Sequence, residues 1–335
     1  MHPGLPAFAS PSVSDIWIKR METVRDLVEY TRRLVRKNPS PPLSASVRKL
    51  ALQFQNRSVC KPGSGLNFFS FHLDVPAKCR VIDYVDVKHD HGAFNYTKLS
   101  QLLAWSIGHF HPDSKIWFVT DLHSRCALDN SNATVVRLPL DPAAPMLERV
   151  KAMAAYVQSN AFDRDTIFLD TDAFPNRNLQ QIFRRRFDVG VTYRATPEFM
   201  PINEGVIFCS AREKSAVCSF FQAYLATYEA LLDDPRVLNY YGNIRRWRGG
   251  QLSLSALYAP SSLGHGDFMV SGARVAVFPC DQFNYWVTEP TQFRGDALSH
   301  KFILHLKGDS KFLVDDMIKY HHRINGGVAN NLLGY

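Results

Sequence analysis

Asp170-Thr171-Asp172 closes the apolar run Thr166-Ile167-Phe168-Leu169 near the middle of a 335-residue chain. Two carboxylates one residue apart at the end of a buried strand can act as a pair, with one ligating a hard divalent cation and the other holding a hydroxyl or a metal-bound water. The same spacing in Asp163-Arg164-Asp165 precedes the run, where a solvated turn is expected. Two further segments carry suitable groups. Asn203-Glu204-Gly205 sets an amide, a carboxylate and an approachable backbone before the apolar Val206-Ile207-Phe208. The segment 301–311 runs a strand into His305, with Gly308 and Lys311 beyond it, so an imidazole could complete a metal site and an ammonium could clamp a diphosphate. Each group alone has an ordinary alternative, a helix cap or turn for the aspartates and a structural histidine for His305.

The elements that must position these groups alternate along the chain. Strand patterns at 79–87, 115–121, 133–140, 166–170, 188–194, 204–210, 275–280 and 301–306 are separated by helical patterns, among them 94–110, 145–159, 211–232 and 246–259, with a short one at 178–185. This alternation predicts an α/β fold with a mainly parallel central sheet flanked by helices. Ligands of such sheets bind beyond the carboxyl ends of the strands, which is where Asp170 and Asp172 fall. Residues 14–37 have a 3.6-residue apolar period, and a second helix is expected over 44–55 before Lys61-Pro62-Gly63-Ser64-Gly65, read as a turn. Residues 1–65 are thus expected to form a helical extension, and 66–335 the α/β domain.

A hydrophobic content of 46% supports a substantial core, and the net charge of +8 favours an anionic partner. The six cysteines are scattered without a C-x-x-C pair, as expected of buried thiols in a reducing compartment. Residues 1–20 lack the basic start and apolar run of a signal peptide, and no stretch approaches a membrane span. The expected setting is the cytoplasm, with peripheral attachment to an acidic membrane surface left open.

The order of Asp170-Thr171-Asp172, Asn203-Glu204-Gly205, Gly249-Gly250-Gln251 at a helix start, and His305, Gly308 and Lys311 spaced as H-x-x-G-x-x-K resembles a GT-A-fold (Rossmann-like) nucleotide-sugar glycosyltransferase. It is most similar to glycosyltransferase family 8, the glycogenin-like and lipopolysaccharide-galactosyltransferase group, over residues 79–312. The resemblance implies a nucleotide-diphosphate sugar donor, most simply a UDP-sugar, bound through Mn²⁺ or Mg²⁺. Asp172 and His305 would be metal ligands, and Asp170 would share the metal or touch the ribose. Lys311 and the Gly308 backbone would meet the diphosphate. Asn203 and Gly205 would lie beside the donor sugar, and Gln251 would stand where the family's Asp-Gln pair contacts that sugar. The acceptor would be a glycan, a lipid-linked group or a protein. This chain has Gly250 where the family has that Asp, and Phe312-Leu313 where it has Pro-Trp.

A leaving nucleoside diphosphate develops negative charge, so a divalent cation and a lysine are the groups its departure requires. Retention needs no strong base, because the leaving phosphate can take the acceptor proton. Inversion would need a carboxylate such as Glu204, Asp267 or Asp281. The nucleobase is expected beside residues 87–98, with Phe94, Asn95, Tyr96 and Lys98 offering stacking and charge. His89-Asp90-His91 reads as polar loop. Gln282 to Trp286, and Trp247 among Arg245, Arg246 and Arg248, are candidates for an acceptor groove. Two other readings are a haloacid-dehalogenase-type phosphatase with Asp170 as nucleophile, and a basic nucleic-acid-binding protein. Phe174 stands where the phosphatase motif carries Thr or Val, and no nucleic-acid-binding motif accompanies the charge.

Overall fold

The structure, a computed structural model, describes Asp26, Glu29, Arg33 and residues 43–55, 65–75, 96–126, 128, 132–195, 200–241, 243–258 and 266–324. Of the expected helix over 14–37 only Asp26, Glu29 and Arg33 are described, each helical; the strand over 79–87, the loop histidines His89 and His91, and the base-site residues Phe94 and Asn95 lie outside the described residues.

One eight-stranded sheet organises the chain. Its strands are β1 (Asn67–Phe71), β2 (Lys115–Thr120), β3 (Ala133–Arg137), β4 (Thr166–Asp170), β6 (Val189–Tyr193), β7 (Ile202–Cys209), β8 (Phe268–Val270) and β9 (Ala273–Pro279), in the order β3-β2-β1-β4-β7-β6-β9-β8. Four pairings are parallel and three antiparallel, β7 and β8 running against their neighbours, so the sheet is mixed. A smaller sheet, β10 (Tyr285–Trp286), β11 (Ile303–His305) and β5 (Ala173–Pro175), stands beside the carboxyl end of β4.

The β-strand period of two explains how the sheet is buried on both faces. In β4, Phe168 faces one core and Ile167 and Leu169 the other; in β7, Ile207 and Cys209 oppose Val206 and Phe208. The first core is closed by α1 (Ala45–Gln55), α3 (Pro145–Gln158), α4 (Lys214–Leu232), α5 (Pro235–Tyr241) and α6 (Gly249–Leu257). The second is closed by α2 (Tyr96–Phe110) and α8 (Val314–Ile324), with the single-turn helix α7 (Cys280–Phe283) leading into β10. Pro145 opens α3, where its missing N–H has no partner to lose, and the chain leaves the helix at Ser159. Helix α1 is built into the first core: Phe54 is fully buried, with its ring edge-on to Trp117 and Tyr156.

Sequence periodicity missed β1. Asn67-Phe68-Phe69-Ser70-Phe71 has no aliphatic alternation, yet Asn67 is held by the Tyr156 hydroxyl, the Ala161 carbonyl and Asp163. The strand expected over 204–210 begins earlier, at Ile202, so Asn203 lies within β7 together with Glu204 and Gly205, at an irregularity where the pairing with β6 jumps from Val191–Ile207 to Thr192–Asn203. Such a bulge re-aims side chains. Asp163-Arg164-Asp165 forms a bend leading into β4, with Asp165 half-buried and accepting hydrogen bonds from Ser210 Oγ and the Ala211 N–H. Among the described residues, Cys126, Cys209, Cys218 and Cys280 are free thiols, and no helix is long and apolar enough to cross a membrane.

Candidate active site

The site forms where β4 ends. Asp170 is the last residue of the strand; the chain then turns, fixed by Thr171 Oγ1 donating to the Phe71 carbonyl at 3.0 Å. Asp172 follows, and β5 runs antiparallel to β11 with Ala173 opposite His305. The Leu306 N–H donates to the Asp172 carbonyl at 2.9 Å. This pairing joins residues more than a hundred positions apart in sequence. One oxygen of Asp170, one of Asp172 and a ring nitrogen of His305 lie within 4.8 Å of one another. His305 Nε2 is 3.0 Å from Asp172 Oδ1 and 3.7 Å from Asp170 Oδ2, while Lys311 Nζ is 2.5 Å from Asp172 Oδ2.

A chain of hydrogen bonds sets the orientation of His305. The Gly205 N–H can only donate, so the Asn203 atom 3.0 Å from it is the carbonyl oxygen Oδ1. That oxygen also accepts from Asn284 Nδ2 at 2.8 Å, and Nδ2 donates again to Thr192 Oγ1 at 2.9 Å. Asn284 Oδ1 therefore faces His305 Nδ1 at 2.7 Å and accepts its proton. With the proton on Nδ1, the Nε2 lone pair points at two carboxylates, and burial lowers the pKa of His305, opposing a second proton. A lone pair and two carboxylates turned toward one point are a donor set for a cation, and an imidazole whose other nitrogen is held by an amide is the usual form of a metal ligand.

Gly205 makes the room. A Cβ there would stand 2.5 Å from His305 Cε1 and 2.8 Å from Asp170 Oδ2. Gly308 has another role: its φ is +55°, in the left-handed region, where it opens the 3₁₀ turn Gly308–Leu313 that carries Lys311.

Behind the cluster lies a buried ion pair network that was not foreseen. Arg149 of α3 is 2.8 Å from Asp170 Oδ1 and 3.1 Å from Glu204 Oε1, and its Nη2 donates to the Glu204 carbonyl at 2.9 Å. Tyr224 OH donates to Glu204 Oε2 at 2.9 Å. Burial raises the pKa of Glu204, opposed by the Arg149 guanidinium; burial works against the charge of Arg149 too, but Asp170 and Glu204 keep it protonated. Burial would also raise Asp172, yet the Lys311 ammonium beside it holds it far below the ordinary carboxylate range. With His305 neutral, the carboxylates of Asp170, Asp172 and Glu204 face the cations of Arg149 and Lys311, leaving one net negative charge before Lys307 is counted. Burial brings the Lys307 ammonium down to about 8.

The remaining expected residues are dispersed. Tyr96 stacks on His72 with ring centres 4.7 Å apart, near the carboxyl end of β1. Lys98 is ion-paired with Asp315 of α8. Gln251, in the first turn of α6, donates to the Met200 carbonyl at 3.4 Å. Asp267 pairs with Arg185, and Asp281 with Lys301. Phe283 packs between Phe278 and Phe302, whereas Trp286 is half exposed and donates from Nε1 to Ser310 Oγ at 3.0 Å. Two missed residues had signals. Arg149 occupies the apolar stripe of α3 among Met146, Ala152 and Met153, where an unpartnered charge would not be tolerated. Asn284 is an amide embedded in an aromatic segment.

No protein-family model matches the chain, and no curated protein matches it. Among solved structures it is similar to the apo WbbM bifunctional glycosyltransferase at 10% identity and a TM-score of 0.47, covering 78% of this chain and 50% of that one. It is similar to the glycosyltransferase GlyE of Streptococcus pneumoniae TIGR4 at 10% identity and a TM-score of 0.44, covering 80% of this chain and 64% of that one. Mouse xyloside xylosyltransferase 1, in its apo form, is similar at 12% identity and a TM-score of 0.39, over 73% of this chain and 98% of that one. The chain thus spans 50% of the WbbM chain and 64% of GlyE.

Proposed function

We propose that this chain is a metal-dependent glycosyltransferase of the GT-A type, akin to glycosyltransferase family 8, moving a sugar from a nucleotide-diphosphate donor to a hydroxyl acceptor with retention. The observation that carries this reading is the His305 Nε2 lone pair, turned toward Asp170 and Asp172 by the hydrogen bond from Nδ1 to Asn284, with Lys311 on the far oxygen of Asp172. Asp172 and His305 would hold a divalent cation such as Mn²⁺, with Asp170 assisting. When bound, that ion supplies charge neutralisation for a departing diphosphate.

The chain's own groups do the rest. Lys311 is directed to the phosphates together with the open backbone of Gly308, and Lys307 adds a second cation beside them. Tyr96 and His72 offer a stacked aromatic pair for the nucleoside near the end of β1. Asn203, Glu204 and Gly205 of β7 would lie on the sugar side of the cluster, and Gln251 of α6 would contact the sugar after release from the Met200 carbonyl. Retention is favoured because each carboxylate considered as a base is already engaged: Glu204 by Arg149 and Tyr224, Asp267 by Arg185, and Asp281 by Lys301. The leaving phosphate then takes the acceptor proton. Trp286, half exposed and pinned to Ser310, offers its face to an acceptor sugar.

Calorimetric titration of UDP with and without Mn²⁺ tests the reading. The wild-type chain is expected to bind UDP only with the metal, and Asp172→Asn to lose that binding while keeping its Tm within a few degrees. Equal binding by the variant would overturn the assignment. Phosphate release from simple phosphate esters that requires Asp170 would instead make the chain a phosphatase.

A further inference from the structure

The catalytic groups engage only part of the chain's positive charge, and a second concentration lies at the other edge of the sheet. A groove of about 1010 Å³ opens where the chain enters β1 at Gly65 and Leu66, enters β4 at Arg164 and Asp165, and leaves β7 at Ala211 and Arg212. Asp165 immediately precedes β4 and Asp170 ends it, so at about 3.3 Å per residue the groove and the metal cluster are roughly 17 Å apart. The groove is a separate site.

Four arginines line it: Arg164, Arg177, Arg184 and Arg212. Arg164 pairs with Asp163, and Arg212 donates one N–H to the Phe183 carbonyl. Arg177 and Arg184 are exposed, with no carboxylate within ion-pair distance among the described residues; Arg177 lies over the Phe302 ring at 5.0 Å. The single lining carboxylate, Asp165, is occupied by Ser210 and the Ala211 N–H. Like charges gathered in one concavity repel, and an anion relieves that repulsion. Guanidinium groups present a planar fork that matches carboxylate or phosphate in a bidentate way.

The other lining groups choose among anions. Gln180 and Gln181 add side-chain amides, which suit hydroxyl groups, while the Asn178 amide is used internally, accepting from the Gln180 N–H and donating to the Phe110 carbonyl. The one aromatic residue, Phe183, is buried, so the groove lacks the stacking faces on which a single-stranded nucleic acid would rest. A concave groove of this volume also exceeds a lone phosphate and does not fit a flat bilayer surface. We propose that this groove binds a segment of an anionic polysaccharide, its carboxylate or phosphate groups held by Arg177 and Arg184 and its hydroxyls by the amides. The site does not depend on the transferase reading.

Titration of the full chain with an oligogalacturonate, in EDTA at physiological ionic strength, reads this site without the metal cluster. Wild-type protein is expected to bind it. The double variant Arg177→Glu, Arg184→Glu is expected to lose at least tenfold in affinity while its UDP and Mn²⁺ titration matches wild type. Absence of wild-type binding, or equal affinity in the variant, overturns the proposal. So does equal affinity for free galacturonate, which would mark a small-anion site. Arginine-dependent binding of a single-stranded oligonucleotide of the same charge, as tight as the glycan or tighter, would assign the groove to nucleic acid instead.

Discussion

Asn284 Oδ1 sits 2.7 Å from His305 Nδ1, and because Asn284 Nδ2 is committed to Asn203 and Thr192, the amide can only receive the imidazole proton. The polarity of the whole cluster follows from that contact. Asn284→Ala is expected to free the ring, weakening Mn²⁺ binding about 10–100-fold with the fold retained. Metal titration followed by calorimetry reads this, and an unchanged affinity would mean that His305 is oriented by something else.

Gly205→Ala tests the space rather than the donors. The added methyl would lie 2.5 Å from His305 Cε1 and 2.8 Å from Asp170 Oδ2, so both side chains that would hold the ion would have to shift. Loss of Mn²⁺-dependent UDP binding is expected, with native circular dichroism. Full binding by this variant would place the ion elsewhere.

Arg149 joins two carboxylates in a buried setting. Arg149→Met leaves both without their partner, and removing one member of a buried pair costs about 3–5 kcal/mol. Arg149→Lys keeps the charge but cannot present the fork that spans Asp170 and Glu204, so an intermediate loss is expected. Denaturant midpoints of the two variants should rank in that order; a methionine variant as stable as wild type would refute the account.

Gly250 stands where the resembled family has Asp, and the structure gives a reason. A Cβ there would come within 1.8 Å of Glu204 Oε2 and 2.6 Å of the Tyr224 hydroxyl. Gly250→Ala should destabilise by about 1–3 kcal/mol through overpacking. Combined with Glu204→Ala the two losses should fall well short of additive, because the second change removes the atom that the first strikes. Strict additivity in a double-mutant cycle would show that the two positions do not touch.

Stability should fall on mild acidification. Burial lowers His111 to about 4 and His321 to about 3, and both ring nitrogens of His321 lack a hydrogen-bond partner. These native values lie below the unfolded value of about 6.5, so the unfolded chain takes up protons first. The contribution is full above pH 6.5 or so and is lost toward the native values, by roughly 2 kcal/mol per histidine at pH 5. His321→Phe should remove about half of the difference between the urea midpoints at pH 7.5 and pH 5. An identical pH dependence in the variant would exclude His321 as a source.

Much of this arrangement is local and therefore legible from sequence. The apolar run into Asp170, the 3.6-residue period and N-terminal proline of α3, the helix start at Gly249 and the strand into His305 each follow from short-range pattern, as does the end of the sheet on which the carboxylates lie. Other features depend on contacts that no local pattern contains. The β5–β11 pairing brings Asp172 to His305, and the bulge in β7 turns Gly205 toward the cluster and Glu204 toward Arg149. β1 escaped notice because long-range partners, not alternation, hold Asn67-Phe68-Phe69-Ser70-Phe71 in place. Residue types and their order determined which chemistry the chain can carry. Only the tertiary structure decided which nitrogen of His305 meets the carboxylates, because a tautomer is set by hydrogen-bond partners that the fold brings from β6, β7 and the turn after α7.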